Sequence, residues 1–425
     1  MFESLLEVPP DADEAVFIGR IAELEAAKCA AAAGQARLTV AFAAARRARE
    51  EAAGIPTRRR GRGMASEIAL ARRDSPNQGG RHLGFAQALV FEMPYTLAAL
   101  ESGVLSEWRA TLIVRESACL DVEDRRALDA ELCGDPAALD GFGDARIAAE
   151  VKKIAYRLDP HAVVDRARKA ETERCVTIRP APDTMAYVTA LLPMAHGVSV
   201  YAALKREADV TCDGRARNQV MADTLVERVT GASAATATPI AVNLGLSDDT
   251  LLGGSEPAHV EGYGPIPAGI ARDLVKAALD DAESRATLRK LYIKPATGAL
   301  VAMESKARIF PKGLAKFIGI RDQRCRTPYC DAPIRHTDHA RPDSDGGPTS
   351  ALNGEGLCEA CNYAKQAPGW QVDTSIDENG AHTTKLTTPT GAHHHSKAPP
   401  QPRPLRLDIS EVEAHLSIAI ARHAA

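Results

Sequence analysis

The chain has 425 residues, 45% apolar and 25% charged, which is typical of a globular protein of two or three domains. A net charge of −4 and a pI near 6.3 exclude a protein that binds polyanions over its whole surface. The acidic N-terminus lacks the basic start and apolar core of a signal peptide, and no apolar run approaches a membrane span. We therefore expect a cytoplasmic protein with reduced thiols and no membrane contact.

The first 64 residues are predicted to form a long helix and a basic loop. Ala15 to Glu51 is rich in alanine, with larger apolar residues at helical spacing. Pro56 ends this pattern, and the segment Arg58-Arg59-Arg60-Gly61-Arg62 follows. Such a run is usually a solvated loop, and an arm that contacts nucleic acid is the less favoured alternative.

Residues 65–304 are predicted to form a mostly helical domain without a metal or nucleophile cluster. Helix follows helix as far as Glu173, and Trp108 and five scattered cysteines are expected in the core. Further expected elements are a strand at Cys175–Pro180, helices at Val198–Ala208, Arg215–Thr230 and Ala268–Leu279, a small-residue linker at 233–239, a strand at Ile240–Leu246 and a hairpin of Lys290–Ile293 with Leu300–Met303. These cysteines are Cys119, Cys133, Cys175 and Cys212, together with Cys29 in the preceding long helix.

After a predicted helix at Lys312–Asp322, two close cysteine pairs indicate a structural metal site. Four residues separate Cys325 from Cys330, and two separate Cys358 from Cys361. Tetrahedral zinc takes four thiolates, and each pair must come from a tight turn so that both sulfurs face one ion. The gap between the pairs is longer than in a compact zinc ribbon, so a folded segment is expected to fill it.

The pattern between and after the pairs predicts strand, loop, strand and helix. Ile334 to His339 alternates and is flanked by prolines, which favours a short strand. Asp345-Gly-Gly-Pro348 is a turn, and nothing breaks a helix from Glu359 to Gln366 before Pro368 and Gly369. This order places polar and titratable residues between the two cysteine pairs that are predicted to bind zinc.

The order D-H, G-G-P-T, N and L-C-E-A-C-N-Y-A-K resembles the HNH nucleases, which have the ββα-metal fold, in the variant with two cysteine knuckles. The resemblance implies that His339 is the general base, and that Asp338 and Asn362 hold one divalent cation against the scissile phosphate. It also implies that Asn353 pins the loop and orients the imidazole of His339. Many members end in His where this chain has Asn362.

Amide and carboxylate oxygens are hard ligands, so Mg²⁺ or Mn²⁺ is the expected catalytic ion beside the structural Zn²⁺. A neutral imidazole can accept a proton at neutral pH if a second group fixes its tautomer. His336 lies an odd number of residues before His339, so in a strand it points to the opposite face and is expected to pack or to touch a phosphate. Lys365 shares a helix face with Asn362 and is either a phosphate contact or a solvated lysine.

The region from Lys306 to Arg341 has nine Lys or Arg against three Asp, a local charge of +6. A basic patch beside a phosphate-cleaving site is what duplex binding requires, and scarce aromatics disfavour a single-strand stacking surface. We expect double-stranded DNA as the partner. The predicted nucleic-acid contacts are Arg324, Arg326, Arg335, Arg341 and Lys365.

The phrases A-D-T-L-V-E-R-V-T-G, L-S-E-W-R-A and G-Y-G-P-I-P resemble a bacterial family in which a large helical domain of unknown function precedes an HNH signature. The expected fold class is a mainly α N-terminal domain with a few strands, followed by an α+β HNH domain stapled by a four-cysteine zinc site. The HNH domain with a following hairpin (Trp370–Ile376 and His382–Leu386) is expected at 305–388. The helical domain is a candidate for self-association.

The last segment, 389–425, is predicted as a proline-rich linker with His393–His395 in an exposed loop and a final helix at Glu411–His423. The function expected for the whole chain is that of a metal-dependent DNA endonuclease. Two alternatives stay open: a zinc module that binds nucleic acid without cutting it, and an interaction protein in which the HNH domain is a remnant.

Overall fold

The computed structural model describes residues 8, 13–231, 244–246, 250, 253–260, 263–280 and 309–401. The predicted linker at 233–239, the hairpin between 290 and 303 and the helix at 411–423 lie outside these residues. Of the predicted strand at 240–246, only residues 244–246 are described.

The longest element is α1, Glu14–Ala52, a helix of 39 residues. Asp13 begins it, because its carboxylate accepts a hydrogen bond of 3.0 Å from the amide of Val16 and so satisfies a free N–H at the helix start. The buried face consists largely of alanines and Cys29, and short side chains let neighbouring helices pack closely. The helix predicted over Ala15–Glu51 is confirmed.

Shorter helices pack against α1 and around a common apolar core that includes Leu89, Met93, Leu100 and Ile113. Asp129 helps to order this core, since its buried carboxylate accepts hydrogen bonds of 2.8 Å from two amides at the start of α4. The helices are α2 Met64–Ala71, α3 Gly79–Phe91, α4 Pro94–Glu101, α5 Glu107–Glu116, α6 Val122–Cys133, α7 Asp144–Leu158 and α8 Pro160–Thr172.

Two core predictions for this domain need correction. Trp108 on α5 is 54% exposed, because its indole N–H lies at the surface and donates to Asp144 Oδ2 at 3.0 Å. The prediction of a core tryptophan is therefore wrong, and the prediction of core cysteines is right only in part. Among those cysteines, Cys29 and Cys133 are buried, Cys119 is half-buried, and Cys175 and Cys212 are exposed.

The chain then alternates between small sheets and helices. β1 and β2 form an antiparallel hairpin in which Cys175 faces Leu191 and Pro180 faces Ala186, so the predicted strand is confirmed. A second small sheet has the order β3-β4-β5. The elements are β1 Cys175–Pro180, β2 Ala186–Leu191, α9 Met194–Val210, α10 Arg217–Thr230, β3 Leu244–Gly245, β4 Ala258–Val260, β5 Gly264–Ile266 and α11 Ala268–Asp280.

Within the described part of the chain, no single helix is long and apolar enough to cross a membrane. One pair, Pro76–Phe91 with Pro94–Glu101, passes on length and composition when taken together, but it is bent by 105°.

The C-terminal domain is built on two antiparallel strands and a helix. Helix α12, Lys312–Asp322, leads into β6, His336–His339, and β7, Gly354–Leu357, and then into α13, Glu359–Lys365. The register pairs Asp338 with Glu355 and His339 with Gly354. Both β6 and α13 lie within the ranges predicted for them.

A three-stranded sheet of order β10-β9-β8 follows, formed by β8 Gln371–Ile376, β9 His382–Thr387 and β10 His393–Lys397. The hairpin predicted from β8 and β9 is confirmed. The linker predicted from residue 389 is wrong as far as Lys397, because Thr388 to Ala392 is a tight turn and the histidines form a strand. Gly391 makes this turn possible with a φ of +85°.

The end of α12 is clamped to β7. Arg321 and Asp322 are bonded to each other at 2.7 and 2.9 Å. Asp322 Oδ2 accepts the amide of Gly356 at 2.7 Å, and Arg321 donates to the carbonyl of Gly354 at 2.7 Å. Both side chains are buried, so α12 is fixed to the strand that pairs with β6.

The two domains also meet at Glu67 on α2. Its Oε2 lies 2.5 Å from the guanidinium of Arg46 on α1, and this ion pair is buried. Its Oε1 accepts the amide of Thr390, in the β9–β10 turn, at 3.0 Å and also the hydroxyl of the same threonine. One carboxylate therefore joins α1, α2 and the C-terminal sheet.

Candidate active site and metal centre

The four predicted cysteines form one cluster. The sulfurs of Cys325, Cys330, Cys358 and Cys361 all lie within 4.8 Å of one another, and all four residues are buried. The sulfurs of Cys330 and Cys358 are 3.8 Å apart. Four thiols in this arrangement fit a tetrahedral zinc ion.

Local backbone geometry brings the cysteines together. The first pair lies on a turn in which the amide of Cys330 bonds to Thr327 O at 3.0 Å and that of Cys325 to Ala332 O at 3.0 Å. Cys358 begins α13, and its sulfur accepts the amide of Cys361 at 3.5 Å. Hydrogen bonds from the Cys330 and Cys361 thiols hold the pKa of Cys325 well below its usual value. The thiolate is the form that binds metal.

Asp338 and His339 lie at the end of β6, as predicted. His339 is 7% exposed and its ring packs on Phe310 with centroids 4.6 Å apart. Its Nε2 is 2.8 Å from Thr349 Oγ1, whereas its Nδ1 lies 3.8 Å from Asp338 Oδ1, beyond hydrogen-bond length. If Nε2 donates to Thr349, then Nδ1 carries the lone pair and faces the carboxylate.

Asn353 holds the loop between the strands. Its Oδ1 accepts the amide of Arg341 at 2.9 Å, and its Nδ2 donates to Arg341 O at 3.0 Å and to Pro348 O at 2.9 Å. Gly347 is needed beside it, since a Cβ there would lie 1.9 Å from Arg341 O. The imidazole of His339 is bonded to Thr349, a residue that sequence reasoning missed although it stands in the quoted G-G-P-T.

Asn362 and Lys365 share the face of α13 that meets β6. Lys365 Nζ is 3.2 Å from Asp338 Oδ2 and also donates to the carbonyl of His339. Asn362 is 7% exposed, and its Oδ1 is buried without a hydrogen-bond partner among the described residues. Lys365 is thus neither a solvated lysine nor free for a phosphate in this structure, because its side chain is only 9% exposed.

The charge on Asp338 is set by two opposing effects. Burial, the largest, raises the pKa of Asp338, but the ammonium of Lys365 and hydrogen bonds together bring that pKa below its usual value. Glu355, opposite Asp338 on β7, is fully buried, and burial raises its pKa. Glu355 Oε1 accepts the hydroxyl of Thr384 at 2.7 Å, and sequence reasoning did not identify this buried acid.

The residues predicted to contact nucleic acid are placed differently. Arg335 and Arg341 are exposed. Arg324 is half-buried and donates to the carbonyls of Asp331 and Tyr263 at 3.2 and 3.3 Å. His336 is half-buried, with its ring 6.3 Å from that of Tyr363.

Arg326 does not lie where a phosphate contact requires. It is 4% exposed and donates to the carbonyls of His382 and Ser396 at 3.2 and 3.0 Å. Its guanidinium therefore ties the first cysteine turn to the C-terminal sheet. We correct the expectation for Arg326 and omit it from the proposed interface.

The side-chain oxygens of Asp338 and Asn362 fit a metal ion in addition to the zinc, of the kind that prefers oxygen ligands. Asn362 Oδ1 is a buried acceptor without a donor among the described residues, which is costly unless something binds it. Lys365, one turn further along the same helix face, reaches Asp338, so the orphaned oxygen lies on the side of α13 that meets the carboxylate. Amide and carboxylate oxygens suit Mg²⁺ or Mn²⁺.

Two strands and a helix, with a cysteine cluster at one end and an Asp-His pair on the first strand, define an HNH-type nuclease domain. A family model described as HNH endonuclease matches residues 323–367. A second, described as a domain of unknown function (DUF222), matches residues 20–322. This match covers more than half of the chain, so the chain belongs to the DUF222 family. Searches of curated proteins and of solved structures gave no match.

Proposed function

We propose that the chain is a metal-dependent endonuclease that hydrolyses phosphodiester bonds in DNA. One observation carries this proposal most directly. Among the described residues, Asn362 Oδ1 is buried without a partner, and it lies on the face of α13 from which Lys365 reaches Asp338. An unsatisfied amide oxygen on the helix that meets a half-buried carboxylate is costly unless a cation binds it.

In this proposal His339 acts as general base. As the oxygen of the attacking water bonds to phosphorus, the water proton passes to Nδ1 of His339. The bond to the leaving oxygen breaks with its electron pair on that oxygen, which takes up a proton from solvent. Thr349 Oγ1 lies 2.8 Å from Nε2, and with Nε2 donating to this hydroxyl the lone pair is on Nδ1. The carboxylate of Asp338, 3.8 Å from Nδ1, stabilises the imidazolium that forms.

Asp338 and Asn362 would hold one Mg²⁺ or Mn²⁺. When bound, such an ion supplies positive charge beside the scissile phosphate and stabilises the charge that develops there. Lys365 must share Asp338 with the ion, since its ammonium already contacts Oδ2. Asn353 ties Arg341 to Pro348 within the loop between the strands and so holds the conformation of that loop.

Duplex DNA is the proposed substrate. Arg335 and Arg341 are exposed close to β6 in sequence, and Arg324 is half-buried beside the cysteine turn. Guanidinium groups bind phosphate oxygens in a two-pronged geometry. A cytoplasmic location and self-association through the helical domain stay predictions.

The test is nicking of supercoiled plasmid by zinc-loaded protein, with Mg²⁺, with Mn²⁺ and without added divalent cation. Free cation is removed by buffer exchange, because a chelator would also extract zinc, and zinc content is measured in each sample. His339→Ala is compared with His336→Ala, a matched variant on the same strand. Removal of a general base typically costs about 10²- to 10⁴-fold in rate, so nicking is lost in His339→Ala and kept in His336→Ala.

Equal nicking by His339→Ala and wild type would remove His339 as the base. The ion pair between Lys365 and Asp338 favours one alternative, a zinc module that binds nucleic acid without cutting it, because an ammonium then neutralises the carboxylate permanently. Under that alternative no protein nicks, and both histidine variants bind duplex as wild type does.

A further inference from the structure

The basic segment of the helical domain lies against the nuclease domain. We call residues 57–63 the arginine loop; it joins α1 to α2 and contains Arg58, Arg59, Arg60 and Arg62. At its end, a Cβ on Gly63 would lie 2.4 Å from Trp370 Nε1 and 3.2 Å from the Cβ of Ala367. Ala367 follows the end of α13, so the loop touches the region just beyond the helix that carries Asn362.

Contacts of α2 continue this junction. Ser66 and Leu70 of α2 line a small cavity together with Cys361, Ala364 and Lys365 of α13. The arginine loop directly precedes α2 in the chain. Its position relative to α13 is therefore fixed by packing at two places.

The loop is also held from within. Arg60 donates to Ile55 O at 2.8 Å and pairs with Glu51 at 3.0 Å. Glu50, which is buried, accepts the amide of Gly61 at 2.6 Å. Gly61 and Gly63 have φ values of +76° and +75°, which glycine adopts readily. The arginine loop therefore has a defined conformation that its own hydrogen bonds hold in place.

The remaining three arginines are not used by the fold. Arg58, Arg59 and Arg62 are exposed, and within the described part of the chain their side chains have no hydrogen bond or ion pair. By contrast, Arg46, Arg60 and Arg72 of the same region are paired with Glu67, Glu51 and Glu107. Three guanidinium groups at one rigid loop form a concentrated positive surface.

We propose that Arg58, Arg59 and Arg62 bind the phosphate backbone of the duplex that the nuclease domain engages, so that the helical domain forms part of the nucleic-acid site. The inference rests on the proposed function for its partner. The helix rises about 4.5 Å from Asn362 to Lys365, and Ala367 follows two residues later. Adding the contact to Gly63 puts Arg62 on the order of 15 Å from Asn362. This is roughly four to five base-pair steps, within one footprint.

The experiment measures binding of full-length, zinc-loaded protein to a 30-base-pair duplex by fluorescence anisotropy, without Mg²⁺ or Mn²⁺ and over a range of salt concentrations. The test variant is Arg58→Gln/Arg59→Gln/Arg62→Gln. The matched control is Lys169→Gln/Lys205→Gln/Arg206→Gln, which removes the same charge from exposed positions of the helical domain. Circular dichroism checks that both variants fold.

Each phosphate contact adds about 0.9 to the magnitude of the slope of log K against log salt. Loss of three contacts should therefore reduce that slope by about 2 to 3 and weaken duplex binding by roughly tenfold or more. The control variant should keep the wild-type slope. Equal slopes for the two variants would overturn the inference. Plasmid nicking separates the two proposals. If wild type nicks plasmid and the loop variant binds duplex normally, the nuclease proposal stands and the proposal for the arginine loop fails. If the loop variant binds duplex more weakly but no protein nicks, the proposal for the loop stands and the nuclease proposal fails.

Discussion

Lys365 and Asp338 form an ion pair of 3.2 Å between α13 and β6. The side chain of Lys365 is only 9% exposed, so this ammonium sits where the proposed cation would compete for the same carboxylate. The pair keeps Asp338 charged in spite of its burial, since the net effect lowers the pKa of Asp338. It also holds α13 against the strand that carries the proposed base.

Lys365→Met should raise the affinity for Mn²⁺, because the cation no longer displaces an ammonium from Asp338. A gain of about tenfold corresponds to about 1.4 kcal/mol, and calorimetric titration of zinc-loaded protein at pH 8 without DNA measures it. Lys312→Met, at an exposed position of α12, is the control. Unchanged or weaker Mn²⁺ binding by Lys365→Met would show that the two cations do not share this carboxylate.

Thr349→Val should lower the cleavage rate about 10- to 100-fold, the range found when a partner that orients a site histidine is removed. The hydroxyl is the hydrogen-bond partner of His339 Nε2, and valine keeps the shape without it. Thr349→Ser keeps the hydroxyl and should stay near wild type. The rate is followed against pH, and identical profiles for Val and Ser variants would remove Thr349 from this role.

Cys361→Ser should abolish zinc binding, with one zinc per chain in the wild type. Structural zinc contributes on the order of 10 kcal/mol to folding in small domains, so β6, β7 and α13 should become accessible to trypsin. Metal analysis gives the stoichiometry, and Cys212→Ser at an exposed cysteine is the control. Full zinc content in Cys361→Ser would contradict a four-cysteine site.

His382 should make the C-terminal sheet less stable in mild acid. Burial, and then the charge of Arg321, lower the pKa of His382 from 6.5 to about 4. Its Nε2 must donate to Leu352 O, 2.8 Å away, and its Nδ1 is buried without a partner among the described residues. Arg326 also opposes the added charge, whereas the bond to Leu352 and the carboxylate of Asp322 favour it.

Because the folded-state pKa of His382 is the lower one, its stabilising contribution is complete above pH 6.5 and is lost as the pH falls towards 4. The loss amounts to about 3 kcal/mol at most. Amide exchange on β9, corrected for intrinsic rates, measures the free energy of opening in wild type and His382→Gln. The difference between the two proteins should shrink over that pH range; a constant difference would exclude His382 as the cause.

Spacing in the sequence predicts the cysteine cluster and the order of β6, β7 and α13, because ligand pairs and breaking residues act within a few positions. Thr349 as the partner of His339 is harder to foresee, since the loop held by Asn353 brings together residues ten apart. The side chain of Arg326 is buried because its acceptors are carbonyls of β9 and β10, which lie 56 and 70 residues further along the chain.

Composition misleads where tertiary packing decides. The prolines and histidines after residue 388 suggest a linker, yet hydrogen bonds to β9 and the tight turn at Gly391 make β10 a strand. Trp108 has the hydropathy of a core residue, but its N–H finds an acceptor in Asp144 only at the surface. In both cases the deciding partner belongs to another element.

The clamp formed by Arg321 and Asp322 has a consequence for how such chains can be recombined. The two family matches meet between residues 322 and 323, yet the carboxylate of Asp322 holds the amide of Gly356 in the heart of the nuclease fold. A segment transplanted from residue 323 onward would lack Asp322, the residue that accepts the hydrogen bond from the Gly356 amide. The boundary between the two family matches therefore separates this buried side-chain pair from β7, the strand that it holds, and exchange between relatives has to carry α12 along with the nuclease domain.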